Sequence, residues 1–170
     1  MANNNHLIDK YIDALLVEAA LRKNELNSET ITTVYLGGGT PSLLSITQLS
    51  KLVNGLKKVF DFSDLEEFTI EVNPDDVTAY YIQQAKSLGI NRVSMGVQSF
   101  NDEDLRFMNR RHTAKQATDA IHIIKEAGIN NISIDLIYGI PGQNIEIWKN
   151  NVDTAISLSV QHISAYTLMY

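Results

Sequence analysis

Gly37, Gly38 and Gly39, followed by Thr40, Pro41 and Ser42, form a stretch of backbone with no side chains on its first three residues. Bare N–H and C=O groups of such a loop can close on a ligand and adopt positive φ, and Pro41 stiffens the exit. No Gly-Lys-Ser/Thr follows, which excludes a Walker-type phosphate loop. A dinucleotide fingerprint fits poorly, with Ser42 only approximating its third small residue and Pro41 inside the motif. Two readings stay open at this point: an ordinary strand-to-helix turn, and a loop whose backbone holds a polar small molecule.

Glu71, Gln98 and Asp135 are the other residues placed to do chemistry. Each lies on the polar face of an alternating segment, toward the end that β/α sheets and barrels turn to their ligands. Singly, each has a structural explanation: an ion-pair carboxylate for Glu71, a cap or turn for Gln98, a loop partner for Asp135. Their coincidence at one sheet edge points to a shared cleft. Arg106, Arg110 and Arg111 form a local basic cluster beside His112. His112 reads as a surface residue at a helix entry, since no second histidine stands at metal-ligand spacing. Trp148 reads as core.

The elements that must position these groups alternate regularly. Leu7, Ile8, Tyr11, Ile12, Leu15, Leu16, Ala19 and Ala20 predict an amphipathic helix with one buried stripe, ending between positions 23 and 27. A strand over 31–36 enters the glycine loop, and the capping box Ser45/Gln48 opens the next helix. Alternation predicts strands over 67–72, 92–97 and from Ile132 to Leu136, with a last strand over 162–166. Between them fall helices over about 76–88, one opened by the capping box Thr113/Gln116, and one through Trp148, Val152, Ala155 and Leu158, with Gly89 and Gly128 as helix stops. Five strands alternating with five or six helices through short connections imply an α/β fold of parallel β/α units.

With 170 residues, 44% hydrophobic and 20% charged, the chain suits one ordinary core. A formal charge of −6 disfavours a surface built for nucleic acid or anionic lipid. No apolar run approaches the roughly 18 residues of a membrane span, and the start has no signal-peptide design; a cytoplasmic location is expected. The absence of cysteine excludes disulfides, thiolate nucleophiles and cysteine-ligated clusters built from these residues.

Five stretches, Tyr35 to Ser42 (YLGGGTPS), Ile70 to Asp75 (IEVNPD), Arg92 to Phe100 (RVSMGVQSF), Asn109 to His112 (NRRH) and Ile134 to Gln143 (IDLIYGIPGQ), resemble the radical S-adenosylmethionine (SAM) family of the oxygen-independent coproporphyrinogen III oxidase type. The resemblance covers almost the whole chain. It implies a partial (β/α)6 TIM-like barrel, a single core domain over 1–170 running from the first helix through about strand 6. On the family pattern the first strand, its C-x3-C-x2-C cluster loop and a C-terminal region lie outside this chain. The resemblance further implies that backbone groups of Gly38, Gly39 and Thr40 hold the methionyl end of SAM. Glu71 would meet its ammonium, Arg110 its carboxylate through a planar fork, and Gln98 and Asp135 the ribose hydroxyls. Its cofactors are SAM and, in the full-length protein only, a [4Fe–4S] cluster that cleaves SAM to a 5′-deoxyadenosyl radical.

The sequence from Gly139 to Gln143 and His112 after the double arginine look more like the haem-chaperone branch of the family, which would bind and deliver haem. The alternative is an oxidase converting porphyrinogen propionates to vinyl groups, and a third reading is an unrelated β/α enzyme using the glycine loop for another polar ligand. In either family reading the partners are small molecules, SAM with porphyrinogen or haem. This chain is expected to be inactive, and self-association is expected through the unpaired edge of the strand over 31–36.

Overall fold

The computed structural model describes residues 2–27 and 29–169. Its centre is one parallel sheet of five strands in sequence order, β1 (Thr33–Leu36), β2 (Glu67–Val72), β3 (Arg92–Gln98), β4 (Asn131–Tyr138) and β5 (His162–Thr167). Neighbouring strands that are both consecutive and parallel require a crossover at every step, and here each crossover is helical. The helices are α1 (Ala2–Arg22), α2 (Ile46–Val59), α3 (Ala79–Ser87), α4 (Asp102–Phe107), α5 (Ala114–Glu126) and α6 (Ile145–Ser157).

The period-two pattern of the strands divides the sheet into two faces. Phe68, Ile70, Val93, Met95, Ile132 and Ile134 are wholly buried and pack with Leu49 and Val53 of α2, Ile82 and Ala85 of α3, Ile121 and Ile124 of α5 and Ala155 of α6. That single layer of helices on one face contains the core. The opposite face carries Tyr35, Thr69, Glu71, Ser94, Gln98, Ser133 and Asp135, and among the described residues the helices of the core pack on the other side. A parallel sheet normally reads as apolar on both faces, so the polar residues mark a face that encloses something other than core.

Both capping boxes form, Ser45 with Gln48 and Thr113 with Gln116. Several boundaries differ from the sequence reading. β1 starts at Thr33, two residues later than expected. The helix expected from about 76 begins at Ala79, because Pro74–Asp76 forms a separate 3-10 turn and Thr78 supplies the N-cap, accepting from the Tyr81 N–H. α4 is an additional short helix, capped by Asn101 with Asp102, Glu103 and Asp104 in its first turn. The apolar stripe of α1 is only partly covered: Ile12 is buried, while Leu7 and Tyr11 stay 63% and 64% exposed, because α2 is the helix packed against it. Among the described residues, no helix is long and apolar enough to cross a membrane.

Candidate functional site

The carboxyl ends of β1, β2 and β3 and the segments after them meet β4 around a cavity of about 250 Å³ on the polar face. It is lined by Gly39, Thr40, Glu71, Gln98, Arg110 and Asp135, together with Asn73, Ser94 and Gly96. These groups come from positions 39 to 135 and converge because every parallel strand delivers its carboxyl end to the same edge. Asp135 sits mid-strand, yet it lies beside the last residues of β3, because the β3–β4 register jumps from Met95↔Ile134 to Gln98↔Leu136. Toward the amino end of the same sheet face, Arg92 donates to Thr69 Oγ1 at 3.2 Å and pairs with Glu67 at 3.6 Å.

Gly38 and Gly39 adopt φ of +76° and +57°, the left-handed region that a side chain enters only at a cost. This backbone shape turns the Gly38 N–H onto Glu71 Oε2 at 3.0 Å, while the Tyr35 hydroxyl donates to Glu71 Oε1 at 2.7 Å. Glu71 therefore pins the loop, and each of its oxygens retains a second lone-pair direction. Gly96 keeps the cavity open from below: a Cβ there would stand 2.9 Å from Gln98 Nε2 and 3.5 Å from Arg110 Nη2.

Arg110 is half-buried and, among the described residues, has no carboxylate within ion-pair distance of its guanidinium. Burial disfavours its charged form, partly offset by the more distant Asp75 and Asp135. Asp135 is held above the ordinary carboxylate range, first by burial and then by Glu71 across the cavity, against opposing effects of Ser164, His162 and Arg110. The cavity thus presents a cation with no close partner, a carboxylate reluctant to ionise, and a second carboxylate engaged by two donors. Such an arrangement suits a zwitterion whose own carboxylate and ammonium complete it. An adjoining hollow of about 410 Å³, lined by apolar groups including Phe107, Ile137 and Leu168, shares Arg110 with the cavity.

Side chains tie the loops to one another. Ser42 donates to Asp76 at 2.7 Å, and Arg111 pairs with Asp75 at 2.8 Å, joining the loops after β1, β2 and α4. Behind Gln98, the Ser99 hydroxyl donates to Asp104 at 2.7 Å, and Gln143 from the loop after β4 reaches the same oxygen at 2.8 Å. Asn151 of α6, 1% exposed, accepts the Phe100 N–H at 2.7 Å and donates to Ser99 Oγ at 3.0 Å. Gln98 itself has φ +68°, a conformation costing a non-glycine residue about 1–3 kcal/mol and one that concentrates at functional sites.

Of the residues singled out from sequence, Gly39, Thr40, Glu71, Gln98, Arg110 and Asp135 line the cavity, and Gly38 joins them through Glu71. His112 is a correction: it is 4% exposed, not a surface residue, because its ring turns inward to the Val97 carbonyl. Trp148 is partly buried against the core and stacks beside Tyr138 with ring centroids 5.4 Å apart. Asn73 went unread because it lies one residue beyond the alternating segment. Ser94 lies on the polar face that alternation turns to a cleft, and it lines the cavity with Gly96 of the same face.

The sequence matches the Radical SAM superfamily over residues 5–164. It is 40% identical over 162 residues to a protein named heme chaperone HemW from Lactococcus lactis, covering 95% of this chain and 42% of that protein. The HemW of Bacillus subtilis is 38% identical over 163 residues, with 95% and 43% covered. Among solved structures, the radical SAM coproporphyrinogen III oxidase HemN of Escherichia coli superposes with a TM-score of 0.87 at 32% identity, over 96% of this chain and 38% of that one. An archaeal Elp3 from Methanocaldococcus infernus, at 21% identity and a TM-score of 0.71, shares the fold. The chain spans about two fifths of the length of the relatives it matches.

Proposed function

The chain belongs to the radical SAM superfamily, and from that footing we propose that its cavity holds the polar end of SAM, in a protein whose whole chain binds and delivers haem. One observation carries the SAM reading: Arg110, half-buried without an ion-pair partner among the described residues, faces a cavity whose other charges are carboxylates. The methionyl carboxylate suits the Arg110 fork, and the ammonium suits Glu71 and the carbonyls of the loop from Gly38 to Thr40. The ribose hydroxyls suit Gln98 and Asp135. The cavity is smaller than the roughly 300–1,000 Å³ of a whole small-molecule site, which fits a ligand whose aromatic end continues into the adjoining apolar hollow.

SAM supplies radical chemistry when it meets a reduced iron–sulfur cluster. The cluster does not fit the residues present: the 170 residues contain no cysteine, and no group of three or more His, Asp or Glu able to hold a metal gathers among the described ones. What these residues do is bind, orient and partly desolvate the ligand.

Titrating the chain with SAM by calorimetry, to millimolar ligand, tests the reading. Saturable binding that S-adenosylhomocysteine also shows, and adenosine alone does not, is expected, because both contain the amino-acid end. No binding, or binding indifferent to that end, overturns it. Haem delivery rests on the resemblance to the HemW proteins, and the likeness to HemN supports porphyrinogen decarboxylation as the second reading. Haem titration and a decarboxylation assay on a full-length homologue separate them. The outer edge of β1 has no strand partner among the described residues, and a second copy of the chain is the proposed occupant. Light scattering should then show dimers at high concentration, and a clean monomer removes that part of the reading.

A further inference from the structure

His112 is a buried titratable group that ligand binding leaves unused. It follows two arginines, yet only 4% of it is exposed. Its Nε2 lies 2.9 Å from the Val97 carbonyl oxygen. A carbonyl accepts only, so Nε2 carries the proton and Nδ1 is bare in the neutral ring. Burial holds the ring below the usual histidine range and keeps it neutral, with the Val97 hydrogen bond opposing and Arg110, Asp75 and Arg111 as the charged neighbours.

The same Val97 oxygen accepts the Ser99 N–H at 2.9 Å. That bond closes a three-residue turn around Gln98, whose φ of +68° marks the strained form of such a turn. The β3–β4 register is irregular at this point, and irregularities of this kind re-aim a side chain beside a site. Gln98 ends 8% exposed and lining the cavity. One carbonyl thus receives both the bond that makes the turn and the bond from His112.

We propose that His112 is a positioning residue: through the Val97 carbonyl it holds the Gln98 turn closed and so sets where the Gln98 amide stands in the cavity. The proposal deepens the reading of the cavity as a SAM site and rests on it for its affinity readout alone. Removing the imidazole donor frees Val97 to relax toward ordinary strand geometry, and Gln98 swings out of place. Gln98→Ala removes the same ligand contact directly.

The test compares His112→Leu, which fills the space without a donor, with His112→Gln, whose amide N–H can reach the carbonyl. His112→Leu should weaken SAM binding roughly 2- to 12-fold, the loss of one neutral hydrogen bond. His112→Gln should return affinity to within about twofold, and His112→Leu should add nothing on a Gln98→Ala background. Fully additive losses, or unchanged affinity with only a lowered melting temperature, overturn the proposal.

Two ligand-free measurements keep it testable should SAM fail to bind or His112→Leu fail to fold. The first is nitrogen NMR of the unsubstituted chain, which should show His112 protonated on Nε2 with a coupling across the hydrogen bond to Val97; an Nδ1-protonated ring overturns it. The second is amide exchange at Ser99, which should speed up in His112→Leu and stay slow in His112→Gln. Equal protection in both also overturns it.

Discussion

Arg110→Ala should separate binding from stability. Most half-buried charged side chains stabilise the fold through a partner, and truncating them lowers both properties together. Arg110 has no ion-pair partner among the described residues, and burial disfavours its charged form. The loop that carries it is fixed by backbone, with the Arg110 N–H donating to Leu105 O at 2.9 Å and Asn109 at φ +53°. The side chain therefore contributes little to folding, and its removal should change stability by less than about 1 kcal/mol. A guanidinium–carboxylate contact with a ligand is charge-assisted and contributes about 1.5–3 kcal/mol, so SAM affinity should fall roughly 10- to 150-fold. Calorimetric titration reads the affinity and thermal unfolding reads the stability, each against Arg110→Lys, which keeps the charge but loses the planar fork and should fall between. A variant that melts several degrees lower with unchanged SAM affinity would refute the reasoning on both counts.

Gly96→Ala should weaken SAM binding roughly 2- to 12-fold by displacing the Gln98 amide, with a small stability change, because the atom it meets at 2.9 Å is a side-chain end; spectroscopy showing Gln98 unmoved counts against this. Asn151→Leu leaves the Phe100 N–H without its acceptor and should cost about 1–3 kcal/mol, lowering the calorimetric melting temperature by roughly 2–12 °C; an unchanged midpoint refutes the assigned bond. His112 has a folded pKa below its ordinary 6.5, so the unfolded chain takes up the proton first. Its contribution is complete above that value and is lost as pH falls through the folded pKa. Urea midpoints measured from about pH 7.5 down to about pH 5 should fall less steeply in His112→Gln.

The fold was legible where sequence-local physics decides it. Alternation in β2, β3 and β4 exposed the two faces, and the polar face is what placed Glu71, Gln98 and Asp135 together. The capping boxes at Ser45 and Thr113 work through neighbours three residues away, and they formed as written. α4 has only six residues, too few for a period to emerge, although Asn101 followed by three acidic residues was a start signal. Asn151 and Ser99 are 52 residues apart, and nothing local to either announces the other. His112 was misread because a charged neighbourhood in sequence says nothing of a ring turned inward toward a carbonyl 15 residues earlier.

Folds of repeated β/α units are often treated as a rigid sheet carrying interchangeable cassettes, each free to be swapped for another. The ties from Ser42 to Asp76, from Asp75 to Arg111, and from Gln143 through Asp104 and Ser99 to Asn151 remove that freedom here. A grafted loop would arrive without its partners and leave theirs stranded, Asp104 and Asn151 being buried. The segments around this cavity are coupled to one another, and redesign of its specificity has to replace the linked segments together.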